Sequence, residues 1–207
     1  IKKYQNVDCV AVILAHFDSI MQQNIAQLFL YSDFKRMLDE LNPEYKKLLE
    51  EVCPAHISKT GVHSILKSLL NERVTLQPIE MIIESIAEAA PLTRRLDVIV
   101  EHVRRRIAPY IIRDGSQDGV LNIVTLSDQW EEVLNRCARR DDRGEIIEFY
   151  LDASSIEKLQ KSVLRVNEDL VQKGIKFVLV TNSECRSYIR ALIERSACHI
   201  PVLSKIE

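Results

Sequence analysis

Apolar residues fall at helical spacing through the first half of the chain and at strand spacing in places through the second. From Asp8 to Phe29 they recur as Val12, Ala15, Phe17, Ile20, Ile25 and Leu28, which predicts one long helix with Asp8 as its cap. Ser32 or Asp33 is expected to open a second helix through Leu38 and Leu41. Asn42-Pro43 then starts a third, with Tyr45, Leu48, Leu49 and Val52 on one face, and Cys53-Pro54 ends it. Ser58 caps a fourth helix over Thr60 to Glu72, striped by Ile65, Leu66, Leu69 and Leu70. Val74-Thr75-Leu76 reads as an extended link, with Pro78 in the first turn of the next helix. There Ile79, Ile82, Ile83, Ile86 and Ala90 form the buried face, and Pro91 closes the element because proline clashes with the preceding turn. Leu96, Ile99, Val100, Val103 and Ile107 predict a further helix over Arg95 to Arg106.

The turn-rich stretch "RDGSQDG", Arg113 to Gly119, marks a boundary. Beyond it, strand-like runs alternate with helical ones. Val120–Leu126 reads as a strand, and Ser127 caps a helix beginning at Asp128. "EIIEFYL" is strand-like, Ala153 to Gln172 is helical, and Gly174 ends that helix. "IKFVLVT" is a strand, Ser183 opens a helix through Tyr188, Leu192 and Ile193, and "HIPVLS" supplies a last strand. The predicted fold is mixed α and α/β: a helical subdomain followed by a small α/β subdomain.

Composition supports a globular chain. It has 207 residues, 46% hydrophobic and 28% charged, enough to bury a real core. A net charge of −2 leaves no general electrostatic footprint for nucleic acid. With only 5 glycines and no P-loop, dinucleotide or nucleophile-elbow motif, a phosphate-cradling or hydrolase site is not indicated. Cys9, Cys53, Cys137, Cys185 and Cys198 are odd in number and widely spaced, which fits a reducing compartment better than a disulfide framework. The longest apolar run, Cys9 to Ala15, is far short of the ~20 residues that span a bilayer. The chain starts at Ile1 and stops after a strand-like run, so it reads as a piece of something larger.

Candidate chemistry is sparse. Cys53, His56 and His63 have loose metal-ligand spacing, but no fourth ligand completes a zinc set, and structural or surface roles are expected for all three. Arg94-Arg95 and Arg104-Arg105-Arg106 are the densest basic runs; adjacent helical residues point in different directions, and Arg104 is spaced to pair with Glu101. The Ser58 to Ile86 region has the outline of a helix-turn-helix, which makes a DNA-binding regulator with an α/β effector domain the alternative reading. The link "RVTLQP" lacks glycine and is less compact than such a turn usually is.

One segment carries more than packing. Leu69-Leu70-Asn71-Glu72, Ile83-Glu84-Ser85-Ile86-Ala87 and Ile99-Val100-Glu101-His102-Val103-Arg104 fall in one order. This block resembles the central block of the large export-gate proteins of flagella and type III secretion systems, where the forms are L-L-x-E, I-L-E-x-L-A and L-T-E-x-V-R. "VAVILAHFDSIMQQNIAQLF", "LLEEVCPAHIS" and "IPVLSKIE" extend the resemblance over essentially the whole chain. "VTLSDQWEEVL" and "NERVTLQP" are most similar to flagellar members from alphaproteobacteria.

The resemblance implies a non-enzymatic fragment from the cytoplasmic half of a bacterial inner-membrane protein, with no cofactor or catalytic residues. That half has four subdomains and assembles into a nine-membered ring that docks export chaperones with their substrates and other export-apparatus proteins. Residues 1–30 would be the last helix of a truncated preceding subdomain, 31–116 a helical subdomain, and 117–207 the C-terminal α/β subdomain. Glu72, Arg94, Arg95, Arg104 and Arg105 are the expected subunit or partner contacts, because long charged groups flank the patterned helices. His16 is expected near the chaperone groove. Two departures stand out: the family link Pro-Ile-Arg-Asp/Asn is replaced by Thr75-Leu76-Gln77-Pro78, and the Thr of a Thr-His step by Ala15.

Overall fold

The computed structural model describes residues 9–116, 119–142, 144, 146–196 and 200–207, and the chain forms two compact units, Ile1–Ile107 and Ala108–Glu207. Asp8, expected to cap the first helix, lies outside the described residues, as do residues 117 and 118 of the "RDGSQDG" turn.

In unit 1, six helices follow the apolar rhythm: α1 (Cys9–Leu28), α2 (Tyr31–Glu40), α3 (Pro43–Val52), α4 (Lys59–Asn71), α5 (Ile79–Ala89) and α6 (Leu96–Arg106). Helix α4 is the hub, packing on α1 and α6, while α5 packs on α6 and α3. Val62, Ile65, Leu66 and Leu69 from α4 are buried together with Ile82, Ile83 and Ile86 from α5 and Ile99 and Val103 from α6. These are the i, i+3, i+4 stripes of the sequence.

Caps hold where the local chemistry is strong. The Ser58 hydroxyl accepts from Gly61 N at 3.0 Å, and Asn42 Oδ1 accepts from Glu44 N at 3.4 Å with Pro43 in the first turn. At α2 the expected cap is corrected: Leu30 occupies the cap position, and Asp33 reaches back from the first turn to accept from Leu30 N at 3.0 Å. Pro78 stands immediately before α5, one place earlier than its expected position in the first turn.

Helix α4 ends without a glycine. Arg73 takes a positive φ of 57°, Arg73 N donates to Leu70 O at 2.9 Å, and Val74 N donates to Leu69 O at 3.0 Å. This paired reversal satisfies two terminal carbonyls and usually has glycine at the left-handed position.

In unit 2, α7 (Ala108–Gly115) precedes β1 (Ile123–Thr125), α8 (Asp128–Cys137), β2 (Ala138–Arg140), β3 (Ile146–Phe149), α9 (Ala153–Gln172), β4 (Val178–Thr181), α10 (Arg186–Glu194) and β5 (Val202–Ser204). Strands β1, β4 and β5 form a parallel sheet in that order, with Ile123 opposite Val178 and Leu179 opposite Val202. Strands β2 and β3 form a separate antiparallel ribbon with a bulge at Arg139/Arg140.

Neither α7 nor β2 is predicted from the apolar pattern. β2 is three residues long and reads "ARR", with no apolar alternation to reveal it. Ser127 stands at the cap position of α8 without a capping side-chain bond, and α10 begins at Arg186 rather than at Ser183. Helix α9 starts on Asp152, whose carboxylate accepts from Ser155 N at 3.0 Å, and ends at Gly174 with φ 70°. The core gathers Leu126, Leu134, Leu159, Leu179, Ile189 and Leu192, and the Gln160 amide donates to Leu192 O at 2.8 Å, tying α9 to α10.

Candidate functional site

The residues singled out from sequence fall into three groups in unit 1. The first is internal. Arg104 is 2% exposed and its Nη1 lies 3.0 Å from Glu72 Oε2, so the last residue of the Leu-Leu-x-Glu motif meets the last residue of the Val-Arg motif. Glu72 is placed by the end of α4 and Arg104 by the last turn of α6. The expectation for Arg104 is thereby corrected: it faces inward because α6 packs on α4 through that side, and it cannot be a surface contact. A buried arginine without a carboxylate would carry a large desolvation cost, so the pair specifies how α6 sits on α4.

The second group is the α5–α6 turn. Arg95 Nη2 and Nε donate to the Asp97 carboxylate at 2.6 and 3.3 Å, and Arg95 N donates to the Thr93 hydroxyl at 3.1 Å. Partial burial works against the Asp97 charge, but Arg95's hydrogen bond and charge outweigh it and hold that carboxyl below its ordinary range. Arg94 and Arg105 are exposed and have no ion-pair partner among the described residues. Leu92, at the tip of the turn, is 85% exposed. One turn away, Glu88 accepts from His102 at 3.1 Å and from Arg106 at 3.2 Å. The result is an exposed apolar tip at Leu92 with the unpaired Arg94 two residues on, a surface suited to a protein contact, while Arg105 lies in the last turn of α6.

The third group is α1. Ala26 alone is buried along its described length; Ile13 is 67% exposed and Phe17 60%, and Val12, Leu14, Ile20 and Ile25 are also bare. His16 is exposed on this helix, beside Phe17. A helix with this much uncovered apolar area is a candidate contact surface. The sequence shows these residues as apolar but carries no sign that the described residues of unit 1 leave them uncovered.

The end of α1 is pinned to α4 by His63. Its Nε2 lies 3.2 Å from Phe29 O, and its ring is 5.3–5.6 Å from those of Phe29, Tyr31 and Phe34. His63 is therefore a packing residue, as expected. His56 is exposed, and burial raises the Cys53 thiol above its usual range. Among the described residues no group of three or more His, Cys, Asp or Glu side chains is placed to hold a metal, and no helix is long and apolar enough to cross a membrane.

The FHIPEP family model matches residues 1–207. The flagellar biosynthesis protein FlhA of Caulobacter vibrioides is 32% identical over 99% of the chain, which spans 29% of that protein's length. The invasion protein InvA of Salmonella typhimurium is 29% identical over 95% of the chain, covering 27% of its length. Among solved structures, the MxiA protein of Shigella flexneri superposes with a TM-score of 0.80 at 24% identity, covering 99% of this chain and 66% of that one. A nonameric SctV-C of EPEC superposes at 0.78 and 19% identity, covering 95% of this chain and 58% of that one. The chain spans less than a third of the curated relatives. With the family model matched end to end, and the family's two charged motif ends meeting as a buried ion pair, the chain belongs to the FHIPEP family.

Proposed function

We propose that this chain is part of a non-enzymatic component of the type III protein export gate, of the flagellar kind. In this reading it belongs to a cytoplasmic region carried by a protein anchored in the bacterial inner membrane. It assembles with copies of itself into a ring and docks chaperone–substrate complexes and other export-apparatus proteins. The observation that carries the proposal is the family match over all 207 residues. The solved nonamer of a related fold supports the ring.

The surfaces fit such a role. Bare α1, with His16, is suited to a groove completed by neighbouring polypeptide, where a chaperone docks. Leu92, Arg94, Arg95 and Arg105 are suited to the contact between copies. Glu72 and Arg104 act beneath that surface by holding α6 in register.

Light scattering of the whole cytoplasmic region of the parent protein tests the ring contact. Arg94→Glu with Arg105→Glu is expected to lower the assembled mass at every concentration where the unmodified protein associates. Unchanged assembly would remove these residues from the interface. For the groove, Phe17→Asp is expected to weaken capture of a chaperone–substrate complex, and unaltered capture would reassign α1.

A further inference from the structure

Strand β1 is an edge strand: it pairs with β4 on one side and with no described residue on the other. Val178 N donates to Asn122 O at 2.9 Å. In a parallel ladder alternate residues bond to a given neighbour, so Asn122 and Val124 face β4 while Ile123 and Thr125 turn their N–H and C=O groups outward. An open row of this kind is a template for another strand.

Beside this edge lies an apolar cleft of about 160 Å³, open to solvent. Val124 and Leu126 on the β1 side, Trp130 from α8, Phe177 just before β4, and Val163 and Val166 from α9 line it. The volume matches one large apolar side chain, since a cavity of about 150 Å³ holds a benzene ring. Ser162, also in the lining, is the polar point in the α9 wall.

The rim on α9 is basic. Lys158 and Arg165 lie four residues before and three residues after Ser162, so helical geometry puts them on its side of the helix. Both are exposed, and neither has an ion-pair partner among the described residues. Seven residues of helix separate them by about 10 Å. In an added strand, the residues two before and two after a given one share its face and stand about 13 Å apart. The flanking residues of such a strand therefore reach the two cations when the central residue fills the cleft.

We propose that the cleft between the outer edge of β1 and α9 is a strand-addition site for an extended peptide segment, with one large apolar side chain in the cleft and an acidic residue two positions to either side. The occupant is a polypeptide because only an extended backbone matches the outward donors and acceptors of Ile123 and Thr125. It is acidic because the rim is not. The site rests on unit 2 alone and does not depend on ring assembly.

Fluorescence anisotropy with the 207-residue chain and a labelled heptapeptide, Thr-Glu-Thr-Leu-Thr-Glu-Thr, tests this. Saturable binding is expected at or below about millimolar protein. Replacing both glutamates of the peptide by lysine, or introducing Lys158→Glu with Arg165→Glu, is expected to weaken binding at least about fivefold, the effect of losing a few charge-assisted contacts. Ser162→Phe, which fills the cleft, is expected to do the same.

Two further peptides decide the backbone mode on the unmodified protein, so no variant needs to fold. One carries N-methyl groups on the odd residues and the other on the even residues. Only the set facing β1 is expected to abolish binding. No binding of the parent peptide, equal binding of its lysine form, or the same response to both methylation patterns would overturn the proposal.

Discussion

Two helices, one in each unit, end in the same reversal with different residues at its centre. At the end of α9, Gly174 has φ 70°, Gly174 N donates to Val171 O at 3.0 Å, and Ile175 N donates to Leu170 O at 2.9 Å. At the end of α4 the same two bonds form around Arg73 at φ 57°. Glycine adopts this conformation without steric cost, whereas for another L-residue it costs about 1–2 kcal/mol.

The two turns differ in the packing of their neighbours. Ile175 is 36% exposed after Gly174, while Val74 is 5% exposed against the fully buried Leu69, and Glu72 is held by Arg104. In α9 the local residue makes the turn. In α4 the tertiary contacts on either side of Arg73 impose it, and a residue that disfavours the conformation is carried along.

Removing those contacts is expected to have the largest effect. Glu72→Ala should destabilise unit 1 by about 2–3 kcal/mol, because it removes a carboxylate partner of the buried Arg104, with some relief from the partial exposure of Glu72. The double change Glu72→Leu with Arg104→Met is expected to cost much less. Urea unfolding of the two variants measures the difference; equal losses would mean the cost is that of losing the ion pair itself and not of an uncompensated Arg104.

Next in size, Gly174→Ala is expected to lose about 1 kcal/mol, since alanine at φ 70° is strained even with open space around its Cβ. Arg73→Gly is expected to move the other way, by roughly 0.5 kcal/mol, as relief of strain is partly offset by a freer unfolded chain. A loss at Arg73 would show that its side chain contributes more than its backbone costs.

The smallest effect lies at the other end of α9. Asp152 is held well below the usual carboxylate range by hydrogen bonds from Ser154 and Ser155. A depressed folded-state value stabilises above the unfolded value of about 3.9 and is lost as pH falls through the folded one. The thermal midpoints of the unmodified chain and Asp152→Ala are therefore expected to differ by a constant amount above about pH 5 and to converge on acidification. A gap that persists at low pH would assign the loss to helix propensity.

Helix α1 shows how far the sequence could be read. Its apolar rhythm is plain from Val12 to Leu28, and the helix follows it, yet nearly all those side chains stand in solvent. Periodicity reports which faces are apolar and carries no information about what covers them. Arg104 is the reverse case. Three consecutive arginines look like a solvated run, but the helical rotation of α6 turns the first of them inward onto Glu72, 32 residues earlier in the chain. No local spacing links the two.

Local sequence was sufficient for the helix stripes from Tyr45 to Ile107, the start at Asn42-Pro43, the cap at Ser58, the glycine stop at Gly174, and the motif order that marks the family. These depend on local backbone chemistry and on a period of 3.6 or 2 residues, which neighbouring residues encode. Tertiary packing was needed to turn the chain at Arg73 without glycine, to bury Arg104, and to leave β1 with an open edge beside an apolar cleft. Each of these is set by residues far apart in the chain, through contacts whose free energy exceeds the local preference.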